Sequence, residues 1–104
     1  MYQTILTIII CTSILVSGTT GKISGIMIES ENNQPLAGVN IQVKGTYLGA
    51  ASDENGYYVI LNVPPGIHEL KATMIGYSTV SVKDVRVEID LTAQVDISFS
   101  IEVI

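Results

Sequence analysis

Val95, Ile97, Phe99 and Ile101 alternate with Asp96, Ser98, Ser100 and Glu102. Val39, Ile41 and Val43 alternate with Asn40, Gln42 and Lys44, and Val85, Val87, Ile89 and Leu91 with Arg86, Glu88 and Asp90. Apolar residues at every second position line one face of an extended chain and leave the other wet. This period of two constrains the fold more than any other feature of the sequence, because a helix would need apolar positions every three or four residues. No stretch shows that helical spacing.

Three further segments, Lys22–Glu29, Tyr57–Asn62 and His68–Ile75, are apolar at both parities. They are expected as strands at central positions or with covered faces. Val80 and Val82 sit on the opposite parity to Val85 and Val87, so a bulge or turn at Lys83-Asp84 is needed to restore the phase. Turns are expected at Glu31–Pro35, at Pro64-Pro65-Gly66, and at Asp53-Glu54-Asn55-Gly56, which reads as a hairpin with Asp53 accepting backbone N–H groups ahead of Gly56. In Pro35–Gly38, Leu36 is expected to cap one end of the core and Gly38 to allow close approach of backbone. Gly76 is expected at a kink, with the Tyr77 ring over the end of the fold. About seven short strands at this spacing predict an all-β sandwich. The core should hold Val39, Ile41, Val43, Tyr58, Ile60, Leu70, Ala72, Val95, Ile97 and Phe99. The strand Gln94–Glu102 is placed at or near an edge, with Asp96 and Glu102 guarding it.

The N-terminus differs in kind. Ile5–Val16 is an apolar run without charge, shorter than the roughly 20 residues that span a bilayer. The small residues Ser17, Gly18, Thr19 and Thr20 follow it. Residues 1–20 are therefore expected to be a signal peptide cut after Gly18 or Thr20, with a retained anchor as the alternative, and residues 21–104 the folded domain. Cys11 lies inside this leader. As the sole cysteine it cannot form an internal disulfide.

Composition excludes several functions. Ten acidic against five basic residues give a formal net charge of −5, and the five cations are scattered, so no nucleic-acid surface is expected. His68 is the one histidine, and Glu69 beside it on a strand points the other way. With no second histidine and no cysteine beyond the leader, neither a metal set nor a nucleophile–base pair can be assembled. No catalytic residue, metal or cofactor is expected, and His68 takes a packing or surface role. The acidic residues Asp84, Glu88, Asp90, Asp96 and Glu102 read as a solvated face.

The order of these motifs resembles a known family. Gly25-x-Met27, Gln34-Pro35-Leu36-Ala37-Gly38-Val39-Asn40-Ile41-x-Val43-Lys44-Gly45-Thr46, Ser52-Asp53-Glu54-Asn55-Gly56-x-Tyr58, Val63-Pro64-x-Gly66 and Ile75-Gly76-Tyr77 together resemble the carboxypeptidase regulatory-like domain. That family is a seven-stranded transthyretin-like (prealbumin-like), immunoglobulin-like β-sandwich. The pattern is most similar to the N-terminal domain of SusC-type TonB-dependent outer-membrane receptors. The resemblance implies a non-catalytic interaction or structural module, exported to the periplasm, outer membrane or cell surface. Its partner would be a cell-envelope protein or a C-terminal receptor domain missing from this chain, and it would meet the membrane only through the leader or a larger parent. The alternative is an accessory domain of a secreted metallocarboxypeptidase, or a carbohydrate-binding module. Exposed aromatics would serve the latter: Tyr47 and Tyr57, expected to flank one hairpin, and Tyr77. The expected interaction surface comprises Tyr47, Tyr57, Tyr77, Asp96, Ser98 and Ser100.

Overall fold

A computed structural model describes residues 18–102, so the expected leader falls almost wholly outside the described residues. Among the described residues eight strands form: β1 (Gly21–Glu29), β2 (Asn40–Val43), β3 (Gly49–Ala51), β4 (Tyr57–Val63), β5 (Gly66–Thr73), β6 (Val80–Val87), β7 (Thr92–Gln94) and β8 (Ile97–Phe99). They build two sheets. One has β1 between antiparallel β4 and a parallel neighbour made of β7 and then β8; the other runs β3-β2-β5-β6. The sheets enclose a single core in which Ile23, Met27, Val39, Val43, Val63, Leu70, Ala72 and Phe99 are wholly shielded from solvent. Burying a Val, Leu, Ile, Met or Phe side chain contributes about 1.5–3 kcal/mol, which is what drives the two sheets together.

The eighth strand arises from a break in the expected continuous C-terminal strand. At Val95-Asp96 the ladder to β1 is interrupted, and each flanking segment is only three residues long. The break also corrects one core assignment, because Val95 is half-buried and packs against the core from its margin. The other nine expected core residues are buried.

The phase change in β6 is as expected. Asp84 adopts φ +59°, and the register against β5 slips between His68↔Val85 and Leu70↔Val82, which turns both pairs of valines toward the core side. β6 nevertheless ends at Val87. Ile89 and Leu91 continue the alternation in sequence but lie exposed in a turn where Asp90 takes φ +62° and Asp90 N–H donates to Thr20 O (3.0 Å).

The segment Asp53–Gly56 is not a hairpin between neighbouring strands. It carries the chain from β3 in one sheet to β4 in the other. Asp53 Oδ1 accepts the N–H groups of Asn55 and Tyr57 (both 2.9 Å), and Gly56 takes φ +81°. A carboxylate accepting two backbone donors closes the corner without needing a partner strand. β4 is consequently an edge strand with an open outer face, not a central or covered one. The β2–β3 connection through Gly45-Thr46-Tyr47 is the true hairpin.

Gly38 sits at φ +76° with open space where a Cβ would stand, so its conformation rather than close approach is what the chain uses there. Leu36 caps the core as expected. Ser52 locks this end: its buried hydroxyl donates to Leu36 O (2.6 Å) and accepts Val39 N–H (2.9 Å).

Candidate interaction surfaces

Sandwiches of this kind offer three places for a partner: side chains on outer faces, loops at the ends, and unpaired sheet edges. The residues expected to form one surface are spread over all three. Tyr47 stands fully exposed at the tip of the β2–β3 hairpin. Tyr57 opens β4 in the opposite sheet, so the two do not flank the same hairpin.

Tyr77 is engaged internally. Its ring packs edge-on to Phe99 (centroids 6.3 Å apart, 83° between planes), and its hydroxyl donates to Glu29 Oε1 (2.9 Å). That hydrogen bond, followed by burial and the negative charges of Glu29 and Glu31, pushes the Tyr77 phenol above its ordinary pKa. The kink before it is present, with Gly76 at φ +88°. Ile75 at the tip is 99% exposed.

Asp96 does more than face water. At the break between β7 and β8, its Oδ1 accepts the Ile26 N–H (3.0 Å), replacing the backbone acceptor that the broken ladder cannot supply. One residue earlier, Val95 N–H donates to Ser24 O (2.8 Å). Ser98 is exposed on β8, and Ser100 lies just past it, within 3.3 Å of the Ser30 hydroxyl. Beyond Phe99 the edge is covered, because Ser78 N–H donates to Ser100 O (3.0 Å) and Glu102 N–H to Gly76 O (3.0 Å).

His68 Nε2–H donates to Pro64 O (2.7 Å), a bond that ties β5 to the preceding loop. Glu69 instead makes an exposed ion pair with Lys44 (3.5 Å). Among the described residues no group of three histidine, cysteine or acidic side chains could hold a metal ion. No described helix is long and apolar enough to cross a membrane.

The outer face of β4 was not singled out by the sequence. Tyr57, Val59 and Leu61 project from it in a row, 57%, 46% and 57% exposed, beside the half-buried Ile26 of β1. The signal was present as apolar residues at both parities of 57–62. Such a run fits a strand buried on both faces equally well, and only the sheet order separates the two.

Comparison with known proteins decides the family. The CarboxypepD_reg-like domain matches residues 23–103. The chain belongs to this family. A relative, the TonB-dependent receptor P3 of Formosa agariphila, is 38% identical over 76 residues, which is 72% of this chain and 8% of that protein. Among solved structures, a chain of the type II cohesin–X-dockerin complex from Acetivibrio cellulolyticus superposes with TM-score 0.60 at 27% identity, over 77% of this chain and 52% of that one. A putative carbohydrate-binding protein from Bacteroides uniformis superposes with TM-score 0.57 at 14% identity, over 75% and 40% respectively, a likeness of fold alone. The CarboxypepD_reg-like fold here is thus an all-β sandwich.

Proposed function

We propose that the chain is a non-catalytic module of the cell envelope, exported by the segment before Gly18–Thr20, and that it serves as the N-terminal extension of a TonB-dependent outer-membrane receptor. The match to the Formosa agariphila receptor carries this reading, since it runs through most of the sandwich at 38% identity. The His68 ring is spent on the Pro64 carbonyl, which supports a packing role for it within a binding module. Likeness to a chain of a cohesin–X-dockerin complex supports a protein as the partner. A cut after Gly18 would keep the Thr20 carbonyl that accepts Asp90 N–H.

An antibody raised against the sandwich and used on fractionated cells tests this. The expected outcome is a band in the outer-membrane fraction, far larger than this chain and lacking Met1 by N-terminal sequencing. A soluble cytoplasmic product beginning at Met1 would overturn both the export and the receptor reading.

A further inference from the structure

Each sheet has two edges, and three of the four carry devices that blunt strand pairing. β3 is only three residues long. β6 is bulged at Asp84 and carries Lys83, Asp84 and Arg86. The β7–β8 edge is broken at Val95-Asp96 and covered beyond Phe99 by Gly76–Ser78. β4 is the least guarded: seven residues, YYVILNV, without a charge, whose register against β1 slips only toward its C-terminal end, between Ile60 and Val63, where Asn62 takes φ +59°.

Hydrogen-bond alternation shows which β4 groups face outward. Tyr57 directs both its N–H and its C=O at Asp53, away from β1. Orientation repeats every second residue, so Val59 and Leu61 also direct their backbone groups to the open side, while Tyr58 and Ile60 face β1. Their β1 partners agree, since Ser24 O, opposite Val59, accepts from Val95 on the far side. The open edge therefore presents Val59 and Leu61 backbone pairs flanked by the Tyr57, Val59 and Leu61 side chains. Among the described residues no strand takes them up.

The geometry points to β4 of a second copy of this chain as the occupant, paired antiparallel about a two-fold axis at Ile60. That axis sets Val59 of each copy opposite Leu61 of the other. Both are outward-facing residues, so all four of their N–H and C=O groups find partners, and apolar side chains meet apolar side chains on the outer face. Charge selects the same arrangement. The domain is acidic overall, and the acidic pair Asp53-Glu54 lies just before β4. Parallel pairing would bring the two acidic turns together. Antiparallel pairing places each at the uncharged Pro64-Pro65 end of the other copy. The pairing is isologous, as two-fold interfaces are. A single strand-to-strand contact buries less surface than a standard stable interface, so the association should be weak, with a Kd of about 10 µM–1 mM.

Sedimentation equilibrium on the full chain at up to about 1 mM tests it. The parent should show a concentration-dependent monomer–dimer equilibrium. Val59→Lys and Leu61→Glu, each with unchanged β-sheet circular dichroism, should each weaken association about tenfold or more. Mixing the two variants should restore it, because the lysine introduced in one copy then meets the glutamate introduced in the other. Should either charged variant fail to fold, the double variant Val59→Thr, Leu61→Thr removes the apolar face with β-branched residues and should weaken association alike. Association through any other part of the chain would be indifferent to all of these substitutions. A parent that stays monomeric throughout, variants that associate as the parent does, or a mixture that gains nothing over the single variants would each overturn the proposal.

Discussion

The hydroxyl of Tyr58 donates to the carbonyl oxygen of Val95 at 2.6 Å, across the gap that Gly25 leaves by having no side chain. Tyr58 lies opposite Gly25 on β4, and Val95 lies on the other side of β1, so the ring reaches over the central strand to hold both of its neighbours. Burial first, and then the charge of Asp96, push the Tyr58 phenol well above its ordinary pKa of 10.

Removing that hydroxyl by Tyr58→Phe is expected to cost about 1–3 kcal/mol, since the Val95 carbonyl loses its partner in a semi-enclosed site. The raised pKa adds a pH dependence. An unfolded chain releases the Tyr58 proton near pH 10 while the folded one retains it, so stability is complete below that value and falls as pH rises above it. Tyr77 contributes in the same direction. Urea unfolding at about pH 8 and about pH 11 should show a smaller alkaline loss in Tyr58→Phe than in the parent.

Gly25→Ala should be among the most damaging single-methyl additions in the chain. A Cβ at that position would stand 1.9 Å from Val95 O and 2.6 Å from Val95 C, both backbone atoms that cannot swing aside. The expected cost is at or above the roughly 3 kcal/mol upper end of overpacking. Thermal unfolding followed by circular dichroism measures it, and an unchanged midpoint would show that the β7–β8 break moves freely.

Asp96→Ala leaves the Ile26 N–H without its acceptor and should destabilise by about 1 kcal/mol. Asp96→Asn keeps an oxygen at the same place and should recover most of that loss. Amide hydrogen exchange at Ile26 separates the two, with faster exchange expected for alanine only.

Phe99→Ala should cost about 3–5 kcal/mol, because the ring is wholly buried and Tyr77 packs against its edge. Ser52→Ala should cost about 1–3 kcal/mol by stripping Leu36 O and Val39 N–H of their shared partner. Chemical denaturation of each variant checks both.

Much of this architecture is readable in the residues themselves. Alternation in Val39–Val43 and Ile97–Phe99 locates core strands, and the parity conflict between Val82 and Val85 locates a bulge. Sheet membership is another matter. Asp53–Gly56 carries the same turn chemistry whether the next strand pairs back or crosses to the other sheet, because the Asp53 carboxylate satisfies the corner from within. The exposed row Tyr57, Val59, Leu61 was hidden for the same reason. Asp96 and Ser52 look like ordinary wet-face and turn residues, and their roles come from residues 70 and 13–16 positions away. Local pattern carries no information about such distant partners. The family motifs from Gln34 to Tyr77 do carry it, since they summarise a fold in which those partners have already met.

The chain enters its first strand at Gly21 and ends its last, β8, at Phe99, and β1 runs parallel to β7 and β8. Tension applied to the two ends would therefore try to slide these neighbours past one another along their length. The ladders from Lys22↔Thr92 to Ser24↔Gln94 and from Met27↔Ile97 to Glu29↔Phe99, the Ile26–Asp96 bond and the Tyr58 bridge would bear that load together rather than opening one by one. A domain wired in this way resists a pull on its two ends by shear across several bonds at once and not by unzipping.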